Sequence, residues 1–256
     1  MIVRLTGGIG NQLFGYLFGR ALSLRRNEPV QFHWAKATRE YALDLYNVDV
    51  ELVQPTGNEP IYDEPGFAFD ANALNQPPNT YYRGYWQSPK YWQKYWPELR
   101  KHLTLKDPVR IEIEAIAKRL AYDPSSVFLH VRRNDYVTNP GVSAFHGNLG
   151  MDYYERAIQA VRQRLSNPHF MVFSDDPVWC AQNFKFPVIS TENYQRHEDL
   201  YLMQHCWHGI GANSSFSWFA NWLGNHPNRI AVMPEKWFTD ASINTLDLMP
   251  ATWIRV

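Results

Sequence analysis

The sequence has little cysteine, no excess of charge and no long apolar run. Its two cysteines, Cys180 and Cys206, are too few for a disulfide framework or a cysteine-rich metal cluster, and we expect both to be buried packing residues. Lys and Arg together number 25, and so do Asp and Glu, so the chain lacks the basic field of nucleic-acid-binding proteins. No apolar run approaches the roughly 20 residues that span a bilayer, and the N-terminus does not resemble a secretion signal. We therefore expect a cytoplasmic protein with no nucleic-acid partner and no transmembrane segment.

Motifs of several enzyme classes are also missing. The chain contains no Asp-x-Asp pair, through which many sugar transferases hold a metal ion on a diphosphate. The segment that begins at His197 lacks the second histidine of a zinc protease helix, and the serines after Gly211 lack the glycine of a serine-hydrolase elbow. We predict no metal site and no cofactor.

Short β-like runs alternate with helical patterns between residues 126 and 233. This alternation predicts an α/β fold with a doubly wound parallel sheet, in which ligands bind beyond the carboxyl ends of the strands. The predicted strands are Val127 to Val131, Phe170 to Phe173, Val188-Ile189, Gly209 to Ala212 and Ile230 to Met233. Three polar clusters follow such strands, and we expect them to converge: His130 to Arg133, Ser174 to Asp176, and Asn213 to Ser215.

The first half of the chain opens in the same style. A strand at Ile2 to Leu5 leads into a glycine-rich turn and a helix. Gly8 and Gly10 allow a ligand to approach the backbone closely, with Asn11 and the helix N-terminus beside it, although a tight turn without a ligand explains them too. Because Leu13 stands where a dinucleotide fingerprint has its third glycine, a NAD site is disfavoured.

A Pro-rich middle follows, and Ser88-Pro89 predicts a helix start. The division between two lobes is predicted near residues 106–108 or 122–126. We place it so that residues 1–122 form the first lobe and 123–256 the second, with the last residues able to pack back on the first lobe.

The clearest chemical signal is the pair Arg132 and Arg133 directly after a strand. Guanidinium groups match phosphate oxygens geometrically and stay protonated, so the pair predicts a phosphate site. Asp175 or Asp176 can accept hydrogen bonds from a guanine edge or a ribose, or can simply cap a helix. Asn213 or Ser214 likewise caps the following helix, whose N-terminus also suits a diphosphate.

Five motifs together resemble the α-1,2-fucosyltransferases of glycosyltransferase family 11, in the order seen in that family and over almost the whole chain. They are Gly7-Gly8-Ile9-Gly10-Asn11-Gln12-Leu13-Phe14, Gly84-Tyr85-Trp86-Gln87-Ser88, His130-Val131-Arg132-Arg133-Asn134-Asp135-Tyr136, Ser174-Asp175-Asp176 and Asn213-Ser214-Ser215-Phe216-Ser217-Trp218. The resemblance implies a GT-B-like pair of facing Rossmann-like lobes with a donor-binding cleft between them. It also implies transfer of L-fucose from GDP-β-L-fucose to the 2-hydroxyl of a terminal galactose, with inversion and without a metal.

The resemblance also implies residue roles. His130 and Asp175 or Asp176 would contact the nucleoside, while Ser214, Ser215 and Phe216, with Asn213, would hold the diphosphate. Arg132 or Arg133 would meet the β-phosphate, and Asn11, beside Gly8 and Gly10, would orient that phosphate or the fucose. We expect acceptor contacts from Tyr85, Trp86 and Gln87.

Two questions stay open at this stage. The candidates for a general base are Asp135, which follows the arginines and can equally be held in a salt bridge, and Asp44 in the first lobe. Neither need be essential, because attack on a strongly cationic centre needs little help from a base. The alternatives to the α-1,2 activity are an α-1,6- or protein O-fucosyltransferase, which keeps the donor site, and a carbohydrate-binding module that stacks sugars on aromatic residues.

Overall fold

The computed structural model describes residues 1–35, 39–106, 111–190, 196–224 and 226–256, with only the backbone described at residues 134, 135, 190 and 196. Two compact units form the chain: Met1–Pro108 with Ser242–Pro250, and Val109–Ala241 with Ala251–Val256. The predicted α/β fold class, with two Rossmann-like lobes of GT-B type, is confirmed.

The first unit contains a four-stranded parallel sheet of order β2-β1-β4-β3. Its strands are β1 (Ile2–Leu5), β2 (Gln31–Trp34), β3 (Ile61–Asp63) and β4 (Tyr81–Arg83). Its α-helices are α1 (Ile9–Arg26) and α2 (Trp96–Leu99), with 3-10 turns at Leu43–Leu45, Ala71–Asn75, Pro89–Tyr91, Gln93–Tyr95 and Arg100–His102.

Helix α1 lies close against this sheet because two of its residues are glycines. A Cβ atom at Gly15 would stand 2.9 Å from Leu5 Cδ2, and one at Gly19 would stand 2.8 Å from Phe32 Cε1. Both distances are shorter than real contacts of a Cβ atom, so the glycines set how closely the helix packs.

The second unit contains a six-stranded parallel sheet of order β10-β9-β8-β5-β6-β7. Its strands are β5 (Ser126–Val131), β6 (His169–Ser174), β7 (Val188–Ser190), β8 (His208–Ile210), β9 (Ala231–Met233) and β10 (Ile254–Arg255). Its helices are α3 (Ile111–Tyr122), α4 (Asn134–Thr138), α5 (Pro140–His146), α6 (Met151–Arg162), α7 (Pro177–Asn183), α8 (Arg196–His205) and α9 (Ser215–Leu223). The five strands predicted in this region are confirmed to within two residues at every end, whereas β10 was not predicted. Cys180 and Cys206 are buried free thiols, as predicted.

The boundary between the units lies earlier in the chain than predicted, near residue 108 instead of 122. Helix α3, which the sequence prediction assigned to the first lobe, packs against the second unit. The Tyr201 hydroxyl donates to the Glu114 carboxylate at 2.7 Å, and the Trp207 indole N–H donates to the Ala121 carbonyl at 2.7 Å. Residues Ser242–Pro250 group with the first unit, whereas the last six residues remain with the second.

Within the described parts of the chain, no helix combines the length and the apolar character needed to cross a membrane.

Candidate active site

The three polar clusters meet at the carboxyl edge of the second sheet. Strand β5 lies between β6 and β8, and Val131 at its end pairs with Ser174 at the end of β6. The Tyr136 hydroxyl, beyond β5, donates to the Asn213 carbonyl, beyond β8, at 3.0 Å. The predicted convergence is therefore present, because parallel strands end at one edge of a sheet.

Both arginines are held by the two aspartates. Arg132 Nη1 donates to Asp175 Oδ2 at 2.5 Å, and the Arg133 backbone N–H donates to Asp175 Oδ1 at 2.9 Å. Arg133 Nε donates to Asp176 Oδ2 at 3.0 Å. All four side chains are at most 31% exposed, which makes these pairs stronger than surface salt bridges. The carboxylates predicted to contact a nucleoside thus orient the guanidinium groups in this structure, and their contact with a nucleoside stays a prediction.

Two aromatic rings complete the support of the arginines. The Arg133 guanidinium lies 4.1 Å from the ring centroid of Trp179, and that of Arg132 lies 5.7 Å from the ring of Tyr136. Sequence reasoning gave neither ring a role, although Tyr136 ends the arginine motif and Trp179 follows the Asp-Asp-Pro segment. These contacts restrict the arginines to a few orientations, which favours binding of a fixed anion.

His130 is buried beside the arginines and is neutral. Burial, and then the nearby Arg132 charge, lower the pKa of His130 to about 3. Its ring lies 5.5 Å from that of Phe216, and its Nδ1 has no hydrogen-bond partner among the described residues. A buried polar atom without a partner is costly, so this nitrogen is suited to a ligand.

Helix α9 begins beside this edge. The Ser214 hydroxyl accepts the Phe216 N–H at 3.4 Å and so caps the helix, while Ser215 is its first residue. Ser214, Ser215 and Phe216 are half-buried, so they stay candidates for binding the diphosphate.

Asn213 has a structural role beside the contact that was predicted for it. Its side chain is buried, and its Nδ2 donates to the carbonyls of His146 at 2.7 Å and Trp237 at 3.3 Å. The amide nitrogen thus joins the end of α5 to the segment at Trp237. The amide oxygen Oδ1 is buried without a hydrogen-bond partner among the described residues, so contact of Asn213 with the diphosphate stays a prediction.

In the first unit, the glycine-rich turn is fixed by a glutamine. Gly7 has φ 75°, a conformation that favours glycine. Gln12 is buried, donates to the carbonyls of Gly7 and Glu40 at 2.9 and 2.8 Å, and accepts the Ala42 N–H at 2.8 Å. Sequence reasoning missed this role.

The predicted contacts at the turn differ in their surroundings. No described atom lies within 4 Å of the position where Gly8 would carry a Cβ, so a ligand can approach the backbone there. Gly10 is buried, and Asn11 Oδ1 accepts a hydrogen bond from Gln87 Nε2 at 2.9 Å. Contact of Gly8, Gly10 and Asn11 with a donor stays a prediction.

The three residues predicted for acceptor contact are not equivalent. Trp86 is 0% exposed and stacks on Phe18 with centroids 3.9 Å apart, so it belongs to the core and cannot stack on a sugar. Gln87 is buried on Asn11. Tyr85 is 40% exposed, lies against Phe67 with centroids 6.0 Å apart, and stays a candidate.

The general base stays undetermined. Asp44 is exposed in the 3-10 turn Leu43–Leu45. The side chain of Asp135 lies outside the described residues, and only its backbone, in α4, is placed.

A family model and named relatives match most of the chain. Residues 73–255 match the model described as Glycosyl transferase family 11. The chain is 29% identical to an alpha-1,2-colitosyltransferase of Escherichia coli over 296 aligned residues, covering 100% of this chain and 98% of that protein. It is 32% identical to the galactoside 2-alpha-L-fucosyltransferase Sec1 of Mus musculus over 197 residues, covering 71% of this chain and 51% of that protein. The chain thus spans about half the length of the mouse relative.

Solved structures support the fold. The fucosyltransferase NodZ from Bradyrhizobium superposes with a TM-score of 0.53 at 14% identity, covering 90% of this chain and 94% of that one. At this identity, the likeness concerns the fold alone.

Proposed function

The chain belongs to glycosyl transferase family 11, and we propose that it transfers L-fucose from GDP-β-L-fucose to the 2-hydroxyl of a terminal galactose in a glycan. The α-1,2 linkage is supported by the names of the bacterial and mouse relatives, and the fucose and the galactoside by that of the mouse relative. The reaction inverts the anomeric centre and needs no metal ion or other cofactor. A cytoplasmic location goes with this proposal as a prediction.

The observation that carries the proposal is the pair of arginine–aspartate contacts at the ends of β5 and β6. A guanidinium has five N–H donors, more than one carboxylate accepts, so an arginine held by aspartate can also bind phosphate oxygens. The leaving GDP gains negative charge as the bond to the sugar breaks. A charge already in place stabilises that state without rearrangement, by roughly 2.7–4 kcal/mol for a well-aimed donor.

The surrounding groups suit the rest of the nucleotide. The N-terminus of α9, with Ser214 and Ser215, presents N–H and hydroxyl donors to a diphosphate. The unpartnered His130 Nδ1 suits a hydrogen bond to the nucleoside, and the adjacent Phe216 ring offers a face on which a base can stack.

Arginine replaces a metal ion in this proposal. The chain has no Asp-x-Asp pair, and Arg132 and Arg133 supply the positive charge that a divalent ion would otherwise bring to the leaving group. A weakly nucleophilic hydroxyl that attacks a strongly cationic carbon needs little help from a base, so Asp135 and Asp44 both remain candidates with modest roles.

A second candidate is transfer of colitose instead of fucose. The colitosyltransferase relative aligns with the whole chain, whereas the fucosyltransferase relative aligns with 71% of it. Colitose is fucose without the 3-hydroxyl, so both donors present the same diphosphate and the same reacting carbon. The described residues contain no feature that we can assign to the 3-hydroxyl.

The test is a transfer assay with GDP-fucose and GDP-colitose on lactose-type glycans, with chelator present and the product linkage determined by NMR. We expect an α-1,2-linked fucosyl product at a rate unaffected by chelator, and tight calorimetric binding of GDP but not UDP. Transfer to protein acceptors or through an α-1,6 linkage would favour those fucosyltransferase classes instead. A protein that binds glycans but not GDP would be a carbohydrate-binding module, and obligatory manganese would contradict the proposal.

A further inference from the structure

We infer that Glu64 is a positioning residue that holds the segment Gly84–Gln87 in the shape that presents Tyr85 to the acceptor sugar. This inference rests on the proposed function, because it concerns the acceptor of that transfer. Glu64 lies outside the motifs that carry the family resemblance.

The carboxylate of Glu64 binds the backbone of this segment directly. Its Oε2 accepts the N–H of Tyr85 at 2.6 Å, and both of its oxygens accept the N–H of Trp86, at 3.1 and 3.0 Å. Glu64 follows β3, and its own N–H donates to the Arg83 carbonyl at the end of the neighbouring β4 at 2.8 Å. Main chain and side chain of one residue therefore hold the start of the segment.

The backbone of the segment has a shape that needs such support. Trp86 has φ 56°, in the left-handed region that a bulky residue rarely adopts. A Cβ atom at Gly84 would stand 2.5 Å from both Cβ and Oε2 of Glu64, so only glycine leaves room for the carboxylate. Glycine at position 84 and the carboxylate of Glu64 thus fit together in this turn.

The far end of the segment is anchored elsewhere. Gln87 Nε2 donates to Asn11 on α1, and the Trp86 ring stacks on Phe18 of the same helix. Tyr85 is the residue between these anchors that reaches solvent, where its ring lies against Phe67. The carboxylate therefore controls Tyr85 more than it controls Gln87 or Asn11.

Burial, and to a smaller extent a neighbouring carboxylate, opposes ionisation of Glu64. Burial raises the pKa of Glu64 to about 7, while the two N–H donors lower it and the nearby Asp70 carboxylate raises it. The hydroxyls of Tyr62 and Tyr91 bind Asp70 on the other side: that of Tyr62 donates to its carboxylate, and that of Tyr91 accepts its N–H at 2.8 Å. Near neutral pH the protonation of Glu64 can thus be followed at the amides that it binds.

The first experiment needs no activity. In the ¹⁵N–¹H spectrum of the wild-type protein, we expect the amide protons of Tyr85 and Trp86 to titrate together with a midpoint near pH 7. Glu64→Gln should abolish both titrations, since the glutamine amide does not ionise. Asp63→Asn is the matched control, because this neighbouring carboxylate pairs with Arg83 on the exposed surface, and it should leave them unchanged. Wild-type amides that do not titrate would overturn the inference without any variant.

The second experiment separates the two substrates. We expect Glu64→Gln to raise the KM for the galactoside acceptor about tenfold, the effect of losing a charged hydrogen bond, and to change the KM for GDP-fucose less than twofold. Gly84→Ala should do the same, since it displaces the carboxylate, and Asp63→Asn should do neither. Equal effects on both substrates, or none, would overturn the inference. If the wild-type protein transfers no sugar, the proposed function fails, and the amide titration alone decides whether Glu64 holds the segment.

Discussion

Arg132 and Arg133 are adjacent in the chain but are held by different atoms. The Arg132 side chain contacts the carboxylate of Asp175, whereas Arg133 uses its backbone N–H on Asp175 and its side chain on Asp176. The Asp175 carboxylate therefore fixes both arginines: it accepts from the side chain of Arg132 and from the main chain of Arg133. A change at one arginine need not displace the other, so their roles can be tested separately.

We predict that Arg132→Ala lowers kcat by at least ~100-fold, the usual loss when a donor to the developing charge is removed. Arg132→Lys should also be poor, because an ammonium cannot hold aspartate and phosphate in one planar fork. Steady-state kinetics with GDP-fucose and a galactoside measure both. Arg156→Ala is the control, since Arg156 forms an exposed pair with Asp152 on α6 and should stay near wild-type activity. Near-normal turnover of both Arg132 variants would contradict the proposed role.

Residue types and motif order were enough to predict which side chains meet at the carboxyl edge of the second sheet. They could not predict how those side chains are used. Asn213 is as polar as Ser214, yet its amide nitrogen joins the end of α5 to the segment at Trp237. Trp86 looks like a sugar platform, yet it lies in the core. Asn213 contacts Trp237 and Trp86 contacts Phe18. These partners are distant in sequence, so no local sequence pattern predicts the contacts.

At the scale of elements, five of the six parallel strands of the second unit were predictable, because short apolar runs alternate there with helical patterns. Strand β10, which no helical pattern precedes or follows, was not predicted. By contrast, the α-helix predicted to start at Ser88 does not form there. Ser88 does act as a cap, accepting the Lys90 N–H at 3.3 Å, but the chain then forms 3-10 turns before α2. Pro97 is the reason, since it has no N–H to donate and is tolerated only in the first turn of a new helix.

The N-cap of α9, Ser214, lies beside the proposed diphosphate site. Ser214→Ala removes the side chain that accepts the Phe216 N–H, and we expect it to cost ~1 kcal/mol of unfolding free energy and to weaken GDP binding. Urea unfolding and calorimetric titration measure the two effects.

A second cap in the same unit separates stability from binding. Asn139 caps α5 by accepting the N–H groups of Gly141 and Val142 at 3.0 and 3.2 Å, and it is exposed. Asn139→Ala should lose similar stability with unchanged GDP affinity. If both variants weaken GDP binding equally, the effect of Ser214 is one of stability alone.

At the scale of the whole molecule, the motif resemblance implied two α/β lobes, but it did not fix the boundary between them. Both candidate boundaries were Pro-containing segments, and local composition does not distinguish them. The choice depends on where the apolar face of α3 is buried, and contacts with Tyr201 and Trp207, more than 80 residues away, decide it.

Three buried or partly buried groups make the stability of the molecule depend on pH in opposite directions. Burial lowers the pKa of His130 to about 3 and raises those of Glu64 and Asp199 to about 7 and about 8. Asp199, in α8, is 2% exposed, and its Oδ1 has no hydrogen-bond partner among the described residues. The unfolded chain binds a proton at His130 more readily than the folded one, and at the two carboxyl groups less readily.

The directions of these pKa shifts define two pH ranges in which the protein loses stability. As pH falls from about 6.5 to about 3, the unfolded state gains the His130 proton, so this group's stabilising contribution is lost. As pH rises from about 4 to 7 at Glu64, and to 8 at Asp199, the unfolded state releases protons that the folded state keeps, so stability is lost there too. Of these three groups, only the two carboxyl groups act above pH 6.5, and both destabilise the protein as pH rises.

We therefore predict that the unfolding free energy falls between pH 6.5 and 8, and that Asp199→Asn removes the part of this loss that extends above pH 7. One titrating group changes the unfolding free energy by ~1.4 kcal/mol per pH unit, so urea unfolding at half-unit intervals resolves the difference. Glu64→Gln should flatten the profile only below about pH 7, and His130→Gln should flatten only the acid side. An Asp199→Asn profile parallel to that of the wild type above pH 7 would mean that Asp199 is already ionised in the folded protein, and that its unpartnered oxygen carries a charge the fold must neutralise in another way.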